Sequence, residues 1–363
     1  MAGSFDASAG GGTNRLRVLE SFGEPRPTTN PYIVQLARVL EAEPACELLP
    51  FSFRAAIIGS YDVFHVHWPE VIYTGRSRTK GIVRELLTAL VLLRVQIGGK
   101  ALVRTRHNLK PHTALTRPQQ FLDSWFDRLT TVNICLNDAT PASVQQPTVT
   151  IPHGHYRDWF APHPVEAQIP GRIAYFGLIR HYKGVEDLIS AFQHVRVPGL
   201  TLSVSGIPEN PALADTLIRL AHGSEQIVFT FKYLPDEELV QAVTAAEMIV
   251  LPYHSMHNSG AALAALSLNR PVLVPETEVN RRLAHEVGPG WVHCFTEPLT
   301  TTTIESAIKG HRACPPLNAP NLSARTWRET GAGHMGAFEG AVAQKKQESA
   351  GRNRFHVAES ASG

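Results

Sequence analysis

Arg180 and Lys183 sit just past a short apolar run and a glycine in RIAYFGLIRHYKGVEDLISAF, residues 172 to 192. A guanidinium and an ammonium at the mouth of a strand-to-helix turn suit a nucleotide diphosphate, because open α/β sheets bind ligands beyond the carboxyl ends of their strands. The pattern predicts a strand over Ile173 to Phe176, a turn at Gly177, and a helix burying Val185, Leu188, Ile189 and Phe192. This segment reads as a sugar-nucleotide clamp. A second phosphate-type element lies in YHSMHNSGAALAALSLNRPVLVPE, Tyr253 to Glu276. There Asn258, Ser259 and Gly260 precede an Ala/Leu helix, so Ser259 or Asn258 can cap it while free backbone N–H groups face an anion. An ordinary capped helix has the same sequence, and only its pairing with Arg180 and Lys183 favours the anion site.

A transfer reaction also needs a base. FHVHWPE brings His65, His67, Trp68 and Glu70 to the carboxyl end of a buried strand. A hydroxyl attacking an anomeric carbon loses its proton as the bond forms, and a partly desolvated carboxylate or imidazole can take it. Glu70 leads among the candidates, with His67 and His107 as alternatives. A plain ion pair for Glu70, or structural hydrogen bonding for the histidines, stays open, and one of His65 and His67 is expected to point into the sheet. ALVRTRHNLKPH delivers His107, Asn108, Lys110 and His112 to the same edge. In PRPTTNPY, Thr28, Thr29 and Asn30 could bind sugar hydroxyls, although capping of the next helix explains them equally well. Tyr233, in QIVFTFKYLPDEEL, could support a nucleobase, while an aromatic there also fits a core. No DxD occurs and no His/Asp/Glu group has metal spacing along the chain, so the leaving diphosphate is expected to be neutralised by cations and N–H dipoles without a metal or other cofactor.

The elements that must hold these residues alternate. LRVLESF, PYIVQLARVLEA, DVFHVHW, a long helix and ALVRTRH form one βαβ series; RIAYF, LTLSVSG, QIVFTFKY, AEMIVLPY and PVLVPE form a second. At 363 residues, two domains are expected, each a doubly wound parallel sheet, with ligands in a cleft. The divisions are a disordered lead-in over 1–13, an acceptor-binding domain over 14–165, a nucleotide-sugar domain over 166–323, a returning helix over 324–347 and a disordered tail over 348–363. TVTIPHGHYRDWFAPHPVEAQIPG, which holds His153 and His155, is the expected connection. The helix from about Ile82 to Ile97 is expected to pack Val83, Leu86, Leu87, Leu90, Leu93 and Ile97 on the sheet.

Composition sets limits on partners. With 43% apolar residues, 18% charged and a formal charge of +2, nothing global points to nucleic acid. Yet Arg76 to Lys110 holds nine Lys/Arg against one acid, Glu85, which fits either a solvated helix face or docking on an anionic membrane or phosphorylated acceptor. The start, MAGSFDASAGGGTN, has no basic n-region or apolar core, so a cytoplasmic protein is expected, with any membrane contact peripheral. Cys46, Cys135, Cys294 and Cys314 form no CxxC and are expected to be reduced and buried.

These residues together resemble a known family, the GDP-mannose:glycolipid 4-β-D-mannosyltransferases of xanthan-type exopolysaccharide assembly, inverting enzymes of the GT-B fold. The likeness runs through PRPTTNPY, HVHWPE, VRTRHNLKPH, HGHYRDWF, FGLIRHYKGVE, LPYHSMHNSG, ALSLNRPVL and HEVGPGW. It implies two Rossmann-like domains, GDP-mannose as donor, a lipid-linked oligosaccharide on the cytoplasmic leaflet as acceptor, and a β-1,4-mannosyl product. Retaining GT-B families carry two glutamates flanking a glycine near the donor helix, and MHNSGAALA has none, which disfavours retention and calls for a base from the first domain. Those relatives also carry an arginine directly after the strand-end glycine, where this chain has Leu178 with Arg180 two residues on. The donor-side candidates are thus Arg180, Lys183, Gly177, Tyr233, Asn258, Ser259, Gly260, His153 and His155; on the acceptor side they are Thr28, Thr29, Asn30, Trp68 and Asn108. Two other readings keep the residues in place: a transferase using a UDP-sugar, and a catalytically silent sugar-nucleotide-binding partner.

Overall fold

The computed structural model describes residues 15–26, 29–75, 77–108, 115–140, 146–296 and 298–360. The chain divides into two compact units, one of Met1–Cys135, Ala142–Ile151 and Thr330–Gly363, the other of Leu136–Pro141 and Pro152–Glu329. The crossing between units thus falls at Ile151, not at residue 165. The expected lead-in lies outside the described residues.

In the first unit, β1 (Leu16–Glu20), β2 (Cys46–Leu49), β3 (Val63–Val66), β4 (Ala101–Arg106), β5 (Val132–Cys135) and β6 (Thr148–Thr150) form one parallel sheet in the order β2-β1-β3-β4-β5-β6. The central VFHV strand is buried throughout, as parallel strands covered on both faces must be. The helices of this unit are α1 (Pro31–Glu41), α2 (Phe53–Ile58), α3 (Pro69–Tyr73), α4 (Arg78–Ile97) and α5 (Arg117–Leu129). The second unit holds α6 (Arg157–Phe160), β7 (Arg172–Phe176), α7 (Val185–Phe192), β8 (Thr201–Ser205), α8 (Pro211–Leu220), β9 (Ile227–Thr230), α9 (Asp236–Thr244), β10 (Met248–Val250), α10 (Gly260–Ser267), β11 (Val272–Pro275), α11 (Glu278–Val287), β12 (Val292–Phe295) and α12 (Thr301–Ala313). Its sheet is also parallel, in the order β12-β11-β10-β7-β8-β9. α13 (Trp327–Ser360) begins in the second unit and joins the first from Thr330. It stays helical to Ser360, so the tail expected from residue 348 is helix over most of its length.

The fold corrects the expectation for α4. Thr88, Val91, Leu92 and Val95 face the interior, whereas Val83, Leu86, Leu90, Leu93 and Ile97 are exposed, and Leu87 is half-buried. The helix is apolar around most of its circumference, so periodicity alone cannot say which apolar stripe meets the sheet. The cysteines are all free, but only Cys46 and Cys135 are buried; Cys294 and Cys314 are exposed.

Candidate active site

The first unit gathers its chemistry at the carboxyl ends of β1, β3 and β4. Glu20 pairs in register with His65, and His65 with Val103, so alternation along the strands puts Glu20, His65, His67 and Thr105 on one face. Both histidines are buried, not one of the two. His65 Nδ1 lies 2.9 Å from Glu20 Oε1 and its Nε2 lies 2.8 Å from Thr105 Oγ1. His67 Nδ1 lies 2.9 Å from His107 Nε2, while His67 Nε2 faces Glu20 Oε2 at 3.4 Å. Trp68 stacks on His107 at 4.0 Å between ring centres, and Tyr32 of α1 meets the His67 and His107 rings edge-on. From α13, His334 and Phe338 close on His65.

Electrostatics polarises this cluster. Burial on its own would raise the Glu20 carboxyl, but the charge and hydrogen bond of His65, with His67 beside it, hold it down at about 2. Burial, with the His65 charge adding to it, pushes His67 down to about 4. His334 falls to about 3 for the same two reasons, and its Nδ1 lies 2.7 Å from the Thr330 carbonyl oxygen. Among the described residues, Glu20, His65 and His67 are the group whose ligand atoms come close enough for one metal ion. His65, however, has both ring nitrogens engaged by Glu20 and Thr105, and a metal would have to break one of those bonds. Glu20 Oε2 and His67 Nε2, which face each other, make no hydrogen bond.

Above it opens a pocket of about 130 Å³ lined by His67, Trp68, Glu70, His107 and Asn108, with Arg104, Arg106, Asp123 and Asp127 on its far wall. All three candidate bases and two acceptor-side candidates therefore meet in one pocket. The wall is internally neutralised: Arg104 is bonded to Asp123 and Asp127, and Arg106 to Asp127 at 2.6 Å. Elsewhere the acceptor candidates have local roles. Asn30 Oδ1 accepts from Tyr32 N at 3.0 Å as the cap of α1, and Thr29 Oγ1 accepts from Arg26 N at 2.8 Å. Thr28, Lys110 and His112 lie outside the described residues.

In the second unit Gly177, Arg180 and Lys183 follow β7, and Asn258, Ser259 and Gly260 follow its neighbour β10. Gly177 has φ +114, and its N–H donates to Ser205 O at 3.0 Å. Lys183 Nζ sits 4.9 Å from the centre of the Tyr253 ring, and burial, helped by the Arg180 charge, pushes it down to about 8. Gly184, at φ +63, lets the turn pass the Pro252 carbonyl, which a Cβ would meet at 2.1 Å. Ser259, not Asn258, caps α10, accepting from Ala262 N at 3.2 Å; Asn258 Oδ1 instead accepts from Asn137 Nδ2 at 2.7 Å. A small pocket of about 50 Å³ holds Asn258, Ser259 and His153 together with Asn137, Asn280 and Arg325. His153 bonds Tyr156 OH through Nε2 at 3.1 Å, and burial pushes it down to about 4. His155 lines neither of these pockets; its Nδ1 accepts from Arg157 N at 3.3 Å. Tyr233 is exposed in the loop after β9.

Glu20, Thr105 and the Arg104/Arg106/Asp123/Asp127 wall escape sequence reasoning. The one signal for Glu20 is a carboxylate ending an otherwise apolar strand.

A GDP-mannose:glycolipid 4-beta-D-mannosyltransferase of Xanthomonas campestris pv. campestris is 40% identical over 326 residues, covering 89% of this chain and 92% of that protein. The chain belongs to the GDP-mannose:glycolipid 4-β-D-mannosyltransferase family. Residues 165–296 also match the model of the glycosyl transferases group 1, so the mannosyltransferase-family chain is a glycosyltransferase whose second unit carries that domain. Solved structures with the same architecture include Anabaena Alr3699/HepE in complex with UDP, with a TM-score of 0.54 at 13% identity over 94% of this chain and 99% of that one. Sucrose-phosphate synthase from Thermosynechococcus elongatus gives 0.56 at 15% identity over 94% and 100%. At such identities the likeness establishes the GT-B fold alone.

Proposed function

We propose that the protein is an inverting, metal-independent mannosyltransferase, moving mannose from GDP-mannose to a lipid-linked oligosaccharide with a β-1,4 linkage in exopolysaccharide or cell-surface glycan assembly. The observation that carries this reading is the 40% identity across nearly the whole chain to a protein of that name. In the step, the acceptor oxygen bonds the anomeric carbon as the bond from that carbon to the β-phosphate oxygen breaks, GDP leaves, and the hydroxyl proton passes to a base. Arg180 and Lys183, with the N–H groups at the start of α10, offset the charge growing on the diphosphate. The base comes from the first-unit pocket. His107 is favoured over Glu70 because a second imidazole and a buried carboxylate stand behind it. Glu70 lines the same pocket and is the second reading.

The acceptor's lipid calls for a membrane surface, and α4 supplies a candidate. Ile82, Leu86, Leu90, Leu93 and Ile97 form one exposed apolar stripe, with Ile58, Val71 and Phe121 exposed on the neighbouring α2, α3 and α5. Exposed Arg78 and Lys80 stand at its amino end. An apolar helical face beside cations fits peripheral docking on an anionic leaflet, on the inner face of the cell membrane. Of the basic run, Arg104 and Arg106 are taken by aspartates and Arg84 donates to the carbonyls of Val71 and Ile72, so fewer charges are available than a count suggests. No helix among the described residues is long and apolar enough to cross a membrane.

The test is incubation of purified protein with GDP-mannose, or with UDP-sugars, and a lipid extract, following hexose gain on the lipid and nucleotide release. Hexose gain from GDP-mannose with a β product supports the reading, and a response to UDP-sugars alone refutes it. Turnover lost in His107→Gln and kept in Glu70→Gln identifies the base; the reverse assigns it to Glu70.

A further inference from the structure

We infer that Glu20 is a positioning residue for proton transfer: through His67 it fixes the tautomer of His107, leaving His107 Nδ1 as the nitrogen that accepts the acceptor's proton. This rests on the reading that the first-unit pocket supplies the base.

Three buried side chains, joined by one close ion-pair contact and one hydrogen bond, set the direction. Glu20 is fully buried and ionised, so it can only accept hydrogen bonds, and its Oε2 faces His67 Nε2 at 3.4 Å, an ion-pair contact without hydrogen-bond geometry. A neutral imidazole has one N–H, and the lone pair of the other nitrogen cannot face a carboxylate without repulsion. His67, kept neutral by burial, therefore carries its proton on Nε2. That makes His67 Nδ1 an acceptor, so the partner 2.9 Å away, His107 Nε2, must be the donor. With its proton on Nε2, neutral His107 has its lone pair on Nδ1. When Nδ1 takes the acceptor proton, the imidazolium keeps its Nε2–H bond to His67, and the Glu20 charge behind offsets the new positive charge. His65 holds the other carboxylate oxygen at 2.9 Å and is itself fixed by Thr105, so Glu20 cannot rotate away.

The other charged and titratable groups described around His107 are arranged as follows. Of the groups lining the pocket, Arg104 and Arg106 are paired with Asp123 and Asp127, and Glu70 lines it as well. On the opposite side Tyr32 meets the ring edge-on, and His334 packs behind His65. Among the described residues, Glu20 is the carboxylate next to the far nitrogen of His67.

The direct test needs no variant. Nitrogen-15 spectra of the imidazoles of the full chain are expected to show both His67 and His107 as Nε2–H tautomers at pH 7; an Nδ1–H form of either overturns the inference. Kinetics supply the second arm. In Glu20→Gln, kcat is expected to fall about 100-fold with the KM for GDP-mannose within about twofold, and the acid limb of the kcat/KM profile to move about one pH step lower. The sign follows from losing the carboxylate: the imidazolium is less stable, so the base is protonated only at lower pH. A folded Glu20→Gln protein with wild-type kcat and profile overturns the inference while leaving the base in place. Full turnover in His107→Gln overturns the base assignment and the inference together.

Discussion

Replacing Lys183 by Met should make the free protein more stable and the nucleotide-bound protein less so. Lys183 is held below its usual value by burial and by Arg180, at about 8. A fall of that size from the ordinary 10.5 corresponds to about 3 kcal/mol of cost for keeping the ammonium charged in the folded state. Part of the side chain remains exposed, and solvent screening reduces this to about 1–2 kcal/mol. Met keeps the stem and its contact with Tyr253 but removes the charge, so the unit holding it should melt higher by about 2–8 °C. Because the folded-state pKa is lowered, the cost is complete below about pH 8, shrinks as Lys183 deprotonates, and is gone above its unfolded value. Calorimetry at pH 6.5 and pH 9.5 should therefore show the advantage of Lys183→Met at the first and a smaller one at the second. With GDP present the order should reverse, since a diphosphate relieves the strain in the wild type and not in the variant; GDP affinity should drop at least about tenfold. A variant that melts below wild type without GDP, or binds GDP as tightly, refutes the reasoning.

Two further changes test other parts of the structure. Leu86→Glu with Leu90→Glu, both on exposed positions of α4, should reduce sedimentation with vesicles containing anionic lipid by more than about tenfold while leaving melting temperature and GDP binding unchanged. Gly184→Ala should destabilise the second unit by at least about 2 kcal/mol in denaturant titration, because a Cβ at φ +63 is strained and would meet Pro252 O at 2.1 Å.

The strands that carry the site are readable from the chain, and several short strands of mixed composition are not. VFHV, RIAYF and VLVP are short and apolar because both faces are covered, and they announce themselves. CELL, VNIC, TVT and VHCF mix polar residues into three- or four-residue strands, and no periodicity separates such runs from loops. α4 fails for the opposite reason: too much of it is apolar, and only the packing of its neighbours α2, α3 and α5 shows which stripe is left outside.

The site divides in the same way. His67, His107, Arg180 and Lys183 stand beside strand ends and glycine turns, so their positions follow from local pattern. Glu20 stands 45 residues before its partner His65, and the two meet only because β1 and β3 pair in one register. A slip of one residue would turn Glu20 to the other face. The electrostatic logic of the two units is nevertheless the same. On the proposed reading, a buried carboxylate in one would answer a proton arriving at His107, and a part-buried ammonium in the other would answer a diphosphate. Each holds a charge at the carboxyl end of a central parallel strand, where its opposite appears only as the reaction proceeds. Under that reading the arrangement would favour the transition state over the free protein, which is what catalysis by differential binding requires.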